Sequence, residues 1–339
     1  MKKNIFLLFF INFCIVGFSQ VIKGTIRDQN SGFIIDYANV YFNGTFVGTY
    51  SDQNGYFELD ISGNLSMPLT ISALGYYSII LTDISTDKLL LIYLKPKVFE
   101  LDEVYIFENA SENAKTRKAR IEVFKNEFLG TTSNAKKCKI LNENDIRIIY
   151  NVDDKTLRAF SLKPIIVDND ALGYKITYYL DKFEFCIKNS SLLLTGNYIF
   201  QENKSNRKMQ EKRFENKRWS AYLGSRMHFF RVLWENELDS AGFSVRDTLN
   251  AILNYNNIVF QADSLTKYLN NTGTIFIKYS PKKQISSILI KEDVYFNKNG
   301  YFNPFAIRWK GDMTQQRIAD MLPYEYIMKP ASIEKRIHK

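Results

Sequence analysis

Short runs in which apolar and polar residues alternate recur along most of the chain. In the first third they fall at Val21 to Arg27, Ala38 to Phe42, Thr45 to Tyr50, Tyr56 to Ile61, Leu69 to Ala73, Tyr77 to Thr82, Leu89 to Leu94 and Val104 to Phe107. Between them lie Asp28-Gln29-Asn30-Ser31-Gly32, Asn43-Gly44, Asp52-Gln53-Asn54-Gly55 and Ser62-Gly63-Asn64. A side-chain period of two, punctuated this closely by turn formers, predicts short antiparallel strands closing as a β-sandwich. At the third turn Asp52 can cap the backbone while Gly55 takes the positive φ that restarts the strand.

The period then changes. Ser111 reads as an N-cap, Ile121, Phe124 and Phe128 share one helical face, and Gly130 is a stop. Alternation returns over 145–152, 157–162, 165–167, 174–185 and 192–200, a meander of four or five strands. A helix is predicted from about Asn216 to Leu238, because Leu223, Met227, Phe230, Trp234 and Leu238 form one stripe. Further strands are predicted at 274–279, 286–290, 294–296 and 306–309. A last helix would be capped by Asp312 with Gln315 as its capping-box partner, and stopped by Pro323. The expected fold is mainly β: an antiparallel prealbumin-like or immunoglobulin-like sandwich, followed by an α+β domain.

The opening segment differs from everything after it. Lys2 and Lys3 precede twelve residues, Ile5 to Val16, broken only by Asn12, and Gly17 and Ser19 sit two apart. That is the pattern of a cleavable signal peptide with cleavage after Ser19. A run of twelve is too short for a spanning helix, which needs about 20 residues. No later stretch has the length for one, so no transmembrane segment is expected after cleavage. Cys14 follows Asn12 and Phe13, which excludes a lipid-attachment site. The remaining chain is long for one core, and the predicted division is 1–19 signal peptide, 20–107 sandwich and 108–339 α+β domain. Loss of Lys2 and Lys3 lowers the net charge from +9 to +7, a modest excess. Export argues against nucleic acid as a partner and for a periplasmic or outer-membrane-associated location.

Several spaced motifs carry a family resemblance: Gly24-x-Ile26-x-Asp28, Ala38-Asn39-Val40, Gly48-Thr49-x-x-Asp52-x-x-Gly55-x-Phe57-x-Leu59 and Leu69-x-Ile71-Ser72-x-x-Gly75-Tyr76. In order and spacing they resemble the carboxypeptidase-regulatory-like domain, a prealbumin-like sandwich. The segment Leu101-Asp102-Glu103-Val104-Tyr105-Ile106 is similar to the one that leads into the plug of TonB-dependent receptors. The residues that follow are too few and too mixed for a plug and barrel, and Glu334 to Lys339 does not read as a membrane strand, so a transporter is not expected. The resemblance implies an accessory sandwich rather than a zinc peptidase: the two histidines, His228 and His338, begin no His-x-x-Glu pair. Phrases such as Arg218-Trp219-x-x-Tyr222-x-Gly224-Ser225-x-x-His228-Phe229 resemble the region that follows this domain in other exported bacterial proteins, which carries no known activity.

Candidate chemistry is sparse. Ser225 and His228 lie three apart on the predicted helix, with Asp239 eleven further on, but no Gly-x-Ser-x-Gly elbow presents the hydroxyl; a packed polar helix face competes with a serine hydrolase. Asp168-Asn169-Asp170 with Gly173 has the alternate acids of a calcium loop without its closing glutamate, and reads equally as a turn. Cys138 and Cys186 could close a disulfide loop worth ~4 kcal/mol, or be two buried thiols. Lys204, Arg207, Lys208, Lys212, Arg213, Lys217 and Arg218 form a basic run that could dock an anionic ligand, with a solvated hairpin tip and helix start as the alternative. Asp239-Ser240-Ala241, Asp247-Thr248-Leu249 and Asp263-Ser264-Leu265 look like acceptors of bacterial O-glycosylation. No cofactor or metal is expected. The leading expectation is a non-catalytic envelope protein whose sandwich is an interaction module, its partner an unknown envelope protein or a glycan. A carbohydrate-binding or glycan-processing protein and a serine hydrolase are the alternatives.

Overall fold

The computed structural model describes residues 20–328 apart from 83, 85, 98–113, 205–206 and 271–272. The expected signal peptide at 1–19, the expected strand at 104–107, the expected Ser111 cap and the segment Glu334 to Lys339 therefore lie outside the described residues.

The first sheet pair contains seven strands: β1 Val21–Asp28, β2 Asn39–Phe42, β3 Gly48–Tyr50, β4 Tyr56–Asp60, β5 Leu69–Ser72, β6 Ile79–Leu81 and β7 Leu90–Leu94. One sheet runs β4-β1-β7 and the other β3-β2-β5-β6. All pairings are antiparallel except β1 with β7. Ile22, Ile26, Phe57 and Ile92 from one sheet meet Val40, Leu69 and Ile71 from the other, as the alternation demands. Asp52 accepts from the amides of Asn54 and Tyr56, and Gly55 has φ +70°, so this turn is built as its sequence indicates.

The next core is a six-stranded sheet beneath a helix. Helix α1, Ala114–Leu129, turns Ile121, Phe124 and Phe128 inward. It covers β8 Cys138–Ile140, β9 Ile146–Asn151, β10 Thr156–Ser161, β11 Ile165–Asn169, β12 Tyr174–Cys186 and β13 Ser191–Glu202. The long β12-β13 hairpin is antiparallel throughout, with one irregularity between Leu180 and Lys182. The third core joins two small sheets. Strands β14 Phe243–Arg246, β15 Val259–Gln261, β16 Lys267–Leu269, β17 Gly273–Tyr279, β18 Gln284–Ile290, β19 Val294–Phe296 and β20 Ile307–Gly311 form the orders β14-β17-β18-β20 and β15-β16-β19.

Two helical expectations are corrected. The segment 216–238, read as one helix, falls on two: α2, Lys208–Tyr222, and α3, Arg226–Trp234. Gly224, at φ +74°, ends the first, and the Ser225 hydroxyl caps the second by accepting from the His228 amide at 2.9 Å. Leu223 caps the end of α2, Met227, Phe230 and Trp234 lie on α3, and Leu238 follows it, so the stripe spans the break without belonging to one helix. No α-helix forms at 312–322; the segment makes two short 3-10 turns, Asp312–Gln315 and Ile318–Asp320. Asp312 is diverted from the expected capping role, because its carboxylate accepts from the Ile285 amide across the sheet. A further short helix, α4, covers Tyr255–Ile258. Among the described residues no helix is long and apolar enough to cross a membrane.

The sandwich is fastened to the rest by the turn between β2 and β3. Gly44 N–H donates to the Tyr198 carbonyl at 2.8 Å, Phe200 N–H donates to the Thr45 carbonyl at 2.9 Å, and Asn43 Oδ1 accepts from the Tyr198 amide. The turn thereby pairs with the otherwise open edge of β13. On its other side Tyr324 N–H donates to the Gly44 carbonyl and Glu325 accepts from the Phe46 amide. Gly44 has φ +76°, and a Cβ there would lie 2.8 Å from the Tyr324 ring. Gly44→Ala therefore combines left-handed strain with a clash and should cost about 2–3 kcal/mol. Chemical denaturation followed by tryptophan fluorescence checks this; an unchanged midpoint would show that the turn is not held as described.

Candidate functional site

The turn joining β11 to β12 is organised by Asn169 rather than by its flanking acids. Asn169 is fully buried: its Oδ1 accepts from the amides of Ala171 and Leu172, and its Nδ2 donates to the Ala319 carbonyl at 3.0 Å. With the middle residue turned inward, Asp168 and Asp170 point out. Gly173, at φ +70°, lies against the Phe214 ring so closely that a Cβ would meet it at 2.5 Å. That close approach seats the first turns of α2 beside the β11-β12 turn. Between them lies a groove of about 350 Å³, lined by Asp168, Asp170, Asn203, Lys204, Arg207 and Gln210, with Gly173 and Phe214 below.

The groove carries both charges. Asn203 Nδ2 donates to Asp168 at 2.9 Å, and Arg213 donates to both carboxylate oxygens of Asp170 at 3.1 and 3.2 Å. The carboxylates are thus held outward and partly neutralised, leaving amide, carboxylate and guanidinium groups to face solvent together. Hydroxyl-rich ligands are bound by such planar polar groups, each supplying paired donors or acceptors. The acids of the calcium-loop pattern are both here, yet among the described residues no three His, Cys, Asp or Glu side chains are grouped to hold a metal ion.

The structure divides the basic run by role. Arg218 is buried, donates to the Leu172 and Gly173 carbonyls, pairs with Glu202 and Glu215 at 3.2 and 3.3 Å, and lies over the Tyr174 ring at 4.2 Å. Its guanidinium is turned into the protein between the Tyr174 and Phe214 rings rather than toward solvent. Arg213 is committed to Asp170, and Lys217 donates to the Ser133 hydroxyl at 3.2 Å. Arg207 and Gln210 line the groove, whereas Lys208 and Lys212 stand exposed on the first turns of α2. The run is therefore not one patch: Arg218 belongs to the protein interior.

His228 is 6% exposed and enclosed by Tyr222, Phe243 and Tyr279. Its Nδ1 accepts from the Gly224 amide at 3.1 Å, while Ser225 Oγ accepts from the His228 amide. Both groups thus serve the break between α2 and α3, and no hydrogen bond joins the Ser225 hydroxyl to the imidazole. Burial, aided by Lys282 and Arg231, pushes the imidazole pKa down from 6.5 to about 4.

Cys138 and Cys186 are free thiols. Cys138 is aligned through Asn169 with Tyr174 at the start of β12, and Cys186 is the last residue of that strand. Twelve residue steps of about 3.3 Å separate the two ends, far beyond disulfide reach, so the weighed bond is not formed. Burial, then the nearby Asp320, Asp168 and Asp170, push the Cys138 thiol up to about 12. That disfavours the thiolate and with it nucleophilic chemistry. The three Asp-Ser/Thr triplets fall on exposed turns; Asp247 and Asp263 each accept two backbone amides of their own turn.

Residues 22–106 match the family model described as CarboxypepD_reg-like domain, in agreement with the motifs of the sandwich. No curated protein matches the chain. Among solved structures, one from Bacteroides fragilis described as a membrane-associated protein of unknown function shares 10% identity with it. The likeness covers 86% of this chain and 94% of that one, with a TM-score of 0.17, too low to bear on the fold.

The depressed His228 pKa sets a testable pH dependence. An unfolded imidazole takes up a proton below pH 6.5, while the folded one resists until about pH 4, so this contribution to stability is lost as pH falls between those values. Across that window the wild type should lose about 3 kcal/mol relative to His228→Gln. Urea titrations of both proteins at several pH values measure it; parallel profiles would contradict the burial of the ring.

Proposed function

We propose that this chain is an exported, non-catalytic protein of the cell envelope, periplasmic or outer-membrane-associated, in which the regulatory-like sandwich is a docking module. The carrying observation is the turn 43–46, whose backbone seats on the β13 edge and on residues 324–325. The module's docking capacity is exercised within its own chain, so its role is to hold the α+β region in one orientation. On this reading the chain divides into 1–19, 20–107 and 108–339, and the last of these meets an envelope partner. Sequencing the mature N-terminus after cell fractionation tests the premise. The expected start is Gln20 in an envelope fraction; a soluble cytosolic chain that retains Met1 would remove the reading.

A second reading is favoured by the groove beside α2, where Asp168, Asp170, Asn203, Arg207 and Gln210 converge. This mixture of carboxylate, amide and guanidinium suits a saccharide ligand, bound rather than cleaved. Crosslinking in intact cells with the full chain separates the readings: saccharide recovered with the protein supports the groove, and a single envelope protein supports docking alone. If the groove binds saccharide, Asp170→Ala should weaken capture about tenfold by removing a charged acceptor, without altering export.

A further inference from the structure

The outer face of the sheet β14-β17-β18-β20 is not used by any contact so far described. Its inner face supplies Val245, Ile275, Ile277, Ile288 and Ile290 to the third core. The strand period turns the intervening residues outward. Register aligns Arg246 with Phe276, Lys278 with Ile285, Leu289 with Arg308, and Ser287 with Lys310. The face is thus a small lattice of cations interleaved with large apolar side chains, and no carboxylate occupies an outward position on the four strands. Phe276, Ile285 and Leu289 are 43%, 60% and 38% exposed. Among the described residues Lys278, Arg308 and Lys310 make no ion pair. Acids occur only beyond the strand ends: Asp247 accepts amides of its own turn, Asp312 holds the Ile285 amide, and Glu292 and Asp293 follow β18.

We propose that this sheet face docks on an anionic lipid bilayer surface. Charge complementarity supplies the attraction: Lys278, Arg308 and Lys310 face one way with no carboxylate in the same plane, and Arg246, whose guanidinium also donates to the Asn250 carbonyl at 2.8 Å, adds a fourth positive charge. The apolar groups decide the class of partner. A soluble polyanion offers nothing to aliphatic Ile285 and Leu289, whereas a bilayer interface receives apolar side chains at the boundary of headgroup and acyl chain while the cations meet the lipid phosphates. Burying these three side chains in the interface removes exposed apolar area that water otherwise contacts. The surface lies in a different part of the chain from the groove, and the inference does not rest on the saccharide reading.

Co-sedimentation of the mature full-length protein with vesicles tests it, comparing phosphatidylcholine alone with mixtures containing phosphatidylglycerol. Binding is expected only to the anionic vesicles and should weaken as salt rises above about 0.1 M. Each cation removed should lower partitioning about fivefold, so Arg308→Ser with Lys310→Ser should reduce it about 25-fold. Phe276→Ser with Ile285→Ser should also reduce it, although net charge is unchanged. These side chains point away from the core, and circular dichroism confirms that the variants fold. Equal binding to both vesicle types overturns the proposal, whether or not any variant folds. Undiminished binding by either double variant overturns it as well, as does a preference for dextran sulfate or double-stranded DNA over anionic vesicles.

Discussion

The arrangement of the chain depends on how one sheet edge is closed. Strand β13 is paired with β12 on one side and would otherwise expose a row of amides and carbonyls on the other. The four-residue turn of the sandwich closes it with backbone hydrogen bonds to Tyr198 and Phe200. An open edge is a liability for aggregation, and pairing it with a segment of the same chain removes that liability and fixes the sandwich in place. Rings reinforce the join: Tyr41 stacks on Tyr179 at 5.6 Å, and Phe46 approaches Tyr174 and Phe200. Thr45, fully buried, keeps the turn rigid by bonding its hydroxyl to the Phe42 carbonyl.

A second theme is the use of cations to satisfy carbonyls in segments without a ladder. Arg231 on α3 donates to the carbonyls of Asn299, Tyr324 and Tyr326, tying α3 to the segment that also holds the turn at Gly44. Arg226 donates to the Met313 carbonyl, Lys267 to Trp234, and Lys282 to Ser220 and Leu223. Backbone carbonyls must find donors when buried, and irregular segments cannot supply their own. Part of the chain's positive excess is therefore structural, and burial pushes the Arg226 pKa down to about 10 as a cost of that role. The outward cations of β17 and β20 have no such task, which is what distinguishes them.

The Ser225–His228 pair shows how chemistry read from spacing can dissolve in three dimensions. Three residues apart is the distance at which an N-cap side chain reaches the amide of the third helical residue. The same spacing that suggests a nucleophile beside a base is met here by a cap beside the residue it caps, and the ring turns inward among Tyr222, Phe243 and Tyr279. The cue lay in Gly224-Ser225, a helix stop followed at once by a helix start, masked by an apolar stripe that runs through the break.

The sequence by itself determined the sandwich, the β12-β13 hairpin and the central strands of the third core, because strand periodicity and turn chemistry are local properties written in adjacent residues. It also marked Asp52 and Gly55 as a turn and Phe124 and Phe128 as a buried face. Short strands such as β8, β14, β15 and β16 were not legible, because they are defined by their partners, β8 by β11, β14 by β17, β15 by β16 and β16 by β19, rather than by alternation of their own. Only the tertiary structure decided that Asp168 and Asp170 meet Arg207 and Gln210 across a groove, that Arg218 leaves its basic run for the interior, and that Arg246, Lys278, Arg308 and Lys310 share one face. Those placements depend on register between strands and on how a helix seats against a distant turn, contacts between residues far apart in sequence that no local pattern encodes.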